Sequence, residues 1–360
     1  MRRNRTLLVS MVSIILVVLL TVLLLRPEPK ALYTVTFLPS LGGGRSSLIP
    51  QSINDDGRVV GVTEISANQW HMFIWDANGG IRDLGPCVYR RPHDDPVRIN
   101  NTGHIVGTTV DPNGNKLTFL MDPNGVKHIV HAPNGERVHV NALNQSGQVV
   151  GYLNPEQGAR VAFVWDQING MQDLAPPNAI ESLACGINDA GQVVGFLSTQ
   201  RNNKWYAFLW DPDTGMQNLG IARFGPTDTC HINNQGWVVG RFGSADNDTT
   251  VSVWTRERGV QTAPALRGTF ARVVGLNDTN YFIVCMDRNA LKIRQSTIVP
   301  DKVSFLCDPN GVIRDLAGCL DCNDVAQFMA TGMNNRGQII GLLQTKKQPD
   351  ALGVILEPVK

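Results

Sequence analysis

The sequence has no excess of charge of either sign. Its 32 Lys and Arg are matched by 31 Asp and Glu, and charged residues make up only 18% of 360 positions. Such a balance gives no general pull toward nucleic acid or an anionic lipid surface. No Lys/Arg block interleaves with aromatic residues, which argues against nucleic acid as a partner. Catalytic signatures are also missing. The seven histidines (His71, His93, His104, His128, His131, His139 and His231) show no HExxH or other ligand spacing, and there is no Gly-x-Ser-x-Gly elbow or phosphate-cradling loop. Turns such as Asp122-Pro-Asn-Gly125, Asp211-Pro-Asp-Thr-Gly215 and Asp308-Pro-Asn-Gly311 lack the downstream Glu that completes an EF-hand calcium loop. They read as turns, and neither a metal nor a cofactor is expected. Beyond residue 30 no stretch sustains a helical period.

The N-terminus is organised differently. Arg2, Arg3 and Arg5 precede an apolar run from Leu7 to Leu25, interrupted only by Ser10, Ser13 and Thr21. As a helix this run is about 28 Å long, close to the thickness of a bilayer's hydrocarbon core. No small-x-small cleavage motif follows; the next residues are Arg26-Pro27-Glu28-Pro29-Lys30. The pattern predicts a basic cytoplasmic tail (1–6), a single-pass signal-anchor helix (7–25), a short linker (26–32) and a domain over 33–360 in the periplasm or outside the cell.

That domain repeats. An Asn-x-x-Gly-type turn begins at Asn54, Asn100, Asn144, Asn188, Asn233, Asn277 and Asn334. In the sixth turn Asn280 stands where the others have Gly; Asn tolerates the same left-handed geometry. The repeated Asn reads as turn chemistry, its side chain bonding its own backbone. Each repeat contains four short segments of β-branched and aromatic residues. In the fourth they are Ser182–Asn188, Gln192–Ser198, Trp205–Asp211 and Met216–Gly220. Four strands per repeat of this length predict an all-β seven-bladed propeller. The last repeat holds only three strands before the chain ends, while a spare one, 33–38, precedes the first. Placing it as the outer strand of the last blade closes the ring and covers a bare edge.

The repeats resemble HAF repeats, a family of probable bacterial extracellular repeats named for a His-Ala-Phe-like step. The step reads His71-Met-Phe73, Leu117-Thr-Phe119, Val161-Ala-Phe163, Tyr206-Ala-Phe208, Val251-Ser-Val253, Val303-Ser-Phe305 and Leu352-Gly-Val354. A strand end such as Asp83-Leu-Gly85 and the Ile-Asn-x-x-Gly-x-Val-Val-Gly turn add to the likeness. The literal triplet never occurs. The resemblance implies export and carries no established activity.

Topology narrows where a site can lie. In an up-and-down blade, turns 1–2 and 3–4 share one face, and connections 2–3 and 4–1 share the other. The second face gathers the length variation, and variable loops on a rigid scaffold are the usual home of binding residues. The candidate ligand-binding residues there are Arg90, Arg91, His93, Asp94, Asp95, His131, Arg223, Arg267 and Asp324, ringing the mouth of the central channel. Seven cysteines leave at least one thiol over. Cys319 and Cys322 read as a small disulfide loop or inert thiols, with a redox or metal role as the alternative. Cys285 and Cys307 read as cross-strand neighbours, and Cys185 and Cys230 as equivalent buried positions. The expected function is a protein- or glycan-binding scaffold, with a hydrolase or lyase at the channel mouth as the alternative.

Overall fold

A computed structural model describes residues 31–41, 47–87, 96–111, 113–155, 158–199, 204–222, 229–243, 250–267, 271–287, 302–322, 324–348 and 350–359, with the main chain alone at 264–267, 287 and 302. The predicted tail and signal-anchor helix lie outside these residues. No helix among the described residues is long and apolar enough to cross a membrane.

The chain forms seven antiparallel sheets of four strands each. Six are simple meanders. The seventh is composite: Tyr33–Phe37 pairs antiparallel with the last strand, Leu352–Pro358, in the register Thr34 to Glu357 and Thr36 to Ile355. The predicted closure is therefore present. The fourth blade consists of Ala179–Ile187, Val193–Thr199, Trp205–Asp211 and Gly215–Ala222. Its boundaries differ by a few residues from those read in the sequence, because the turn residues themselves leave the ladder.

The core lies between blades rather than inside any one of them. Seven apolar clusters occupy the seven interfaces. Val60, Met72 and Ile74 of blade 1 pack with Ile99 and Phe119 of blade 2, and so on round the ring. Ile340 and Ile355 of blade 7 pack with Leu48, Val59 and Phe73 of blade 1, completing the circuit. The Phe of the His-Ala-Phe-like step is buried at Phe73, Phe119, Phe163 and Phe208. A single sheet of four short strands cannot hide both its faces, so each blade depends on its neighbours.

The Val-Val-Gly motif has a steric cause. Five of the innermost strands carry a bulge just before the turn Asn, for example between Val140 and Ala142. The bulge drives a carbonyl toward the second strand. A Cβ on Gly151 would sit 1.8 Å from the carbonyl oxygen of His139, and one on Gly195 would sit 2.0 Å from that of Leu183.

Two closed belts of hydrogen bonds join the blades at the turn face. In the first, each turn Asn donates from Nδ2 to the main-chain carbonyl of the next, from Asn54 to Asn100 and onward until Asn334 returns to Asn54, at 2.8–3.4 Å. Each of these Asn also accepts at Oδ1 from the amide four residues on, at 2.8–3.0 Å, which fixes its own turn. The second belt lies one residue further along. The amides of Asp55, Asn101, Gln145, Asp189, Asn234, Asp278 and Asn335 each donate to the side-chain oxygen of the next residue in that series, the last returning to Asp55, at 2.7–2.9 Å. Turn chemistry accounts for only half of what the repeated Asn does. The link between blades has no signal in a single repeat.

Candidate functional site: the loop face and the central channel

The strand boundaries separate the two faces clearly. All seven connections between the first and second strands have the same length: 54–58, 100–104, 144–148, 188–192, 233–237, 277–281 and 334–338. On the opposite face the connections range from 67–68 to 288–301, and they include 88–97, 130–136, 241–249 and 316–324. A face of short turns stitched by two belts thus backs a face free to vary.

Several predicted site residues fall outside the described residues: Arg90, Arg91, His93, Asp94, Asp95 and Arg223. His131 is exposed on the connection leading into blade 3. Asp324 lies on the connection leading into blade 7, where Lys347 pairs with it at 2.6 Å and holds its carboxyl below the usual range. Arg267 is a correction. It ends the outermost strand of blade 5, Gly259–Arg267, opposite Thr250, so its main chain is at the periphery rather than at the channel mouth.

The cysteine expectations also change. None of the seven cysteines is joined in a disulfide. Cys285 is opposite Ser304, and Cys307 is opposite Phe282. Cys285 packs in the interface of blades 6 and 7, Cys307 in that of blades 5 and 6. They lie on opposite faces of one sheet and are not neighbours. Burial pushes the Cys307 thiol up to about 12, which keeps it protonated. Cys185 and Cys230 are not equivalent either. Cys230 is buried and pairs with Gly240, whereas Cys185 sits in the bulge between Ala184 and Gly186. Cys319 and Cys322 flank a clasp on the closing strand: the amide of Leu32 donates to the carbonyl of Cys319 at 2.9 Å, and that of Asp321 to the carbonyl of Tyr33 at 3.0 Å. The Asp321 side chain accepts from the amide of Val35 at 3.2 Å.

One constellation has no counterpart among the expected site residues. The innermost strands of the seven blades neighbour one another around the central channel. Arg98, on the innermost strand of blade 2, reaches both flanking blades. Its Nε donates to the carbonyl of Asn141 at 3.1 Å, and its Nη1 to that of Gln51 at 2.9 Å. His231 of blade 5 hydrogen-bonds through Nε2 to the carbonyl of Val273 in blade 6 at 3.2 Å. A carbonyl only accepts, so Nε2 carries the proton and Nδ1 presents its lone pair. Burial lowers the Arg98 guanidinium to about 10, with Arg272 of blade 6 adding like-charge repulsion. Burial also lowers His231 to about 4, again with repulsion from Arg98 and Arg272. At neutral pH the channel therefore holds two guanidinium cations and a neutral imidazole. Nothing in the sequence marks this set, since Arg98, His231 and Arg272 look there like ordinary polar residues of a strand.

A cleft of about 260 Å³ on the turn face between blades 3 and 4 is lined by Trp210, Pro212, Asp166, Asn169, Gln148 and Asp189. Its carboxylates are already engaged. Asp166 accepts from the amides of Ile168 and Asn169, and Asp189 belongs to the second belt. They serve the turn and the ring.

No family model and no curated protein matches the chain. Solved structures do. The β-propeller domain of the Trilobed protease from Pyrococcus furiosus aligns with a TM-score of 0.55 at 11% identity, over 88% of this chain and 95% of that one. A puromycin hydrolase S511A mutant complexed with PGG aligns at 0.53 and 12% identity, over 84% of this chain and 50% of its own. Prolyl oligopeptidase B from Galerina marginata aligns at 0.52 and 10%, over 86% and 48%. Identities this low show the fold alone. The fold is that of a seven-bladed β-propeller. The Pyrococcus domain is described as having an open velcro topology; here a borrowed strand closes the last blade.

Proposed function

We propose that the protein is a binding scaffold of the HAF-repeat type, held at a membrane by the Leu7–Leu25 segment, with its propeller on the outer side. The observation that supports this reading is the segregation of loop length. One face has only short turns, tied into two belts, and the other carries every long connection. A rigid ring beneath variable loops is the arrangement that presents a partner-specific surface at little ordering cost. The charged connection Arg90–Asp95 is the leading contact, and the partner is a protein or a glycan.

A hydrolase or lyase would need an acid, base or nucleophile set beside a reacting atom. The described part of the channel offers two guanidinium groups and a neutral imidazole, a set suited to holding a ligand.

Capture with the full chain in detergent tests the reading. The unaltered chain is expected to retain a specific partner from its native envelope. The double change Arg90→Ala/Arg91→Ala is expected to weaken that capture about tenfold or more while leaving the unfolding midpoint unchanged. Equal capture by both, or none by either, contradicts the proposal.

A further inference from the structure

Arg98 is half-buried, and its hydrogen-bond partners are two neutral carbonyls. Its charged neighbours in the channel are Arg272 and, once protonated, His231. Among the described residues, no carboxylate pairs with Arg98 or His231. A cation partly withdrawn from water is stabilised by an opposite charge, and a second like charge nearby adds to the cost. Of the guanidinium's five N–H donors, two are spent on Gln51 and Asn141, leaving three, including both on Nη2. Donors in that planar fork match a carboxylate.

The turn-face mouth of the channel carries carboxylates. At the turn face the second belt places Asp55, Asp189 and Asp278 in one ring, spaced by Asn101, Gln145, Asn234 and Asn335. Carboxylates there repel an incoming anion. An anion is therefore admitted from the loop face, where the proposed binding surface lies.

We propose that the central channel is a carboxylate-binding site in which Arg98 is the principal anchor, Arg272 supplies a second positive charge, and His231 lines the site. The ligand is a carboxylate group projected into the channel from the loop face by an acidic peptide side chain or an acidic sugar. The proposal deepens the binding reading above and rests on it for the direction of entry. The presence of the anion site itself is independent of any partner.

The full chain in detergent is titrated with sodium acetate, N-acetylglutamate and glucuronate at constant ionic strength, with chloride as the matched salt. Two readouts are followed: the thermal midpoint and the His231 imidazole resonance. Carboxylate is expected to raise the midpoint saturably and to make His231 easier to protonate, because it offsets the repulsion from Arg98 and Arg272. Apparent affinity is expected to fall about tenfold or more in Arg98→Gln and to remain unchanged in Arg256→Gln, a change at an exposed turn. A stronger response to N-acetylglutamate assigns a peptide source, and a stronger response to glucuronate an acidic sugar. A linear response equal to that of chloride, or an equal response in Arg98→Gln, overturns the proposal. Should Arg98→Gln fail to fold, the His231 resonance of the unaltered chain decides: movement with acetate and not with chloride supports the site, and the same movement with both refutes it. The titration needs no partner, so a failed capture and a failed channel site are told apart.

Discussion

At the scale of single residues, the turn Asn performs two jobs with one amide. Its Oδ1 closes the local turn and its Nδ2 bonds the neighbouring blade, as for Asn144, which accepts from the amide of Gln148 at 2.9 Å and donates to the carbonyl of Asn188 at 3.1 Å. Asn144→Asp keeps the acceptor and removes the donor. It is expected to cost roughly 1–3 kcal/mol in urea unfolding, because a buried carbonyl loses its partner and meets a carboxylate. Gly151→Ala is expected to cost about 3 kcal/mol or more, since its new methyl would overlap the carbonyl oxygen of His139. His231 gives a pH signature. Its folded value lies near 4 against an ordinary 6.5, so between these values the unfolded chain binds a proton that the folded chain does not. Stability therefore falls as pH drops through that window, by roughly 2 kcal/mol from this group. His104 is lowered by burial too and contributes with the same sign. Urea midpoints at pH 7 and pH 4.5 should converge in His231→Gln relative to the unaltered chain.

At the scale of elements, the closing strand is held on both edges. Its inner edge pairs with Leu352–Pro358, and its outer edge meets the Cys319–Cys322 segment. The amide of Val35 turns outward to Asp321, so the residues beside it face the ladder. Thr36→Pro removes a ladder donor opposite Ile355. It is expected to lower the thermal midpoint by several degrees, about 2–4 °C per kcal/mol for a domain of this size, and to expose the N-terminal strand to limited proteolysis. The strands themselves are legible in the sequence because alternating apolar positions and Asn/Gly/Asp turns are local signals. The spare first strand is legible because the last repeat is one strand short. The bulges are not, because a bulge depends on how a strand meets its partner, and this is why Cys185 and Cys230 look equivalent in the sequence and differ in the fold.

At the scale of the whole molecule, the ring is stable only as a circuit. Seven apolar interfaces and two belts run through every blade, and each passes from blade 7 to blade 1. The assignment of faces follows from repeat length and is readable in advance. The charged lining of the channel is not, because Arg98, His231 and Arg272 come from blades 2, 5 and 6 and meet only after closure. Residues from distant repeats that converge on an axis leave no spacing pattern in the chain.

Hydrogen–deuterium exchange at the amides of Thr34 and Thr36 tests closure most directly. If the ring is shut by the borrowed strand, these amides exchange as slowly as those of Leu352–Pro358, and only through opening of the whole domain. Exchange at the rate of an unstructured peptide, with the last strand still protected, would contradict the closed ring.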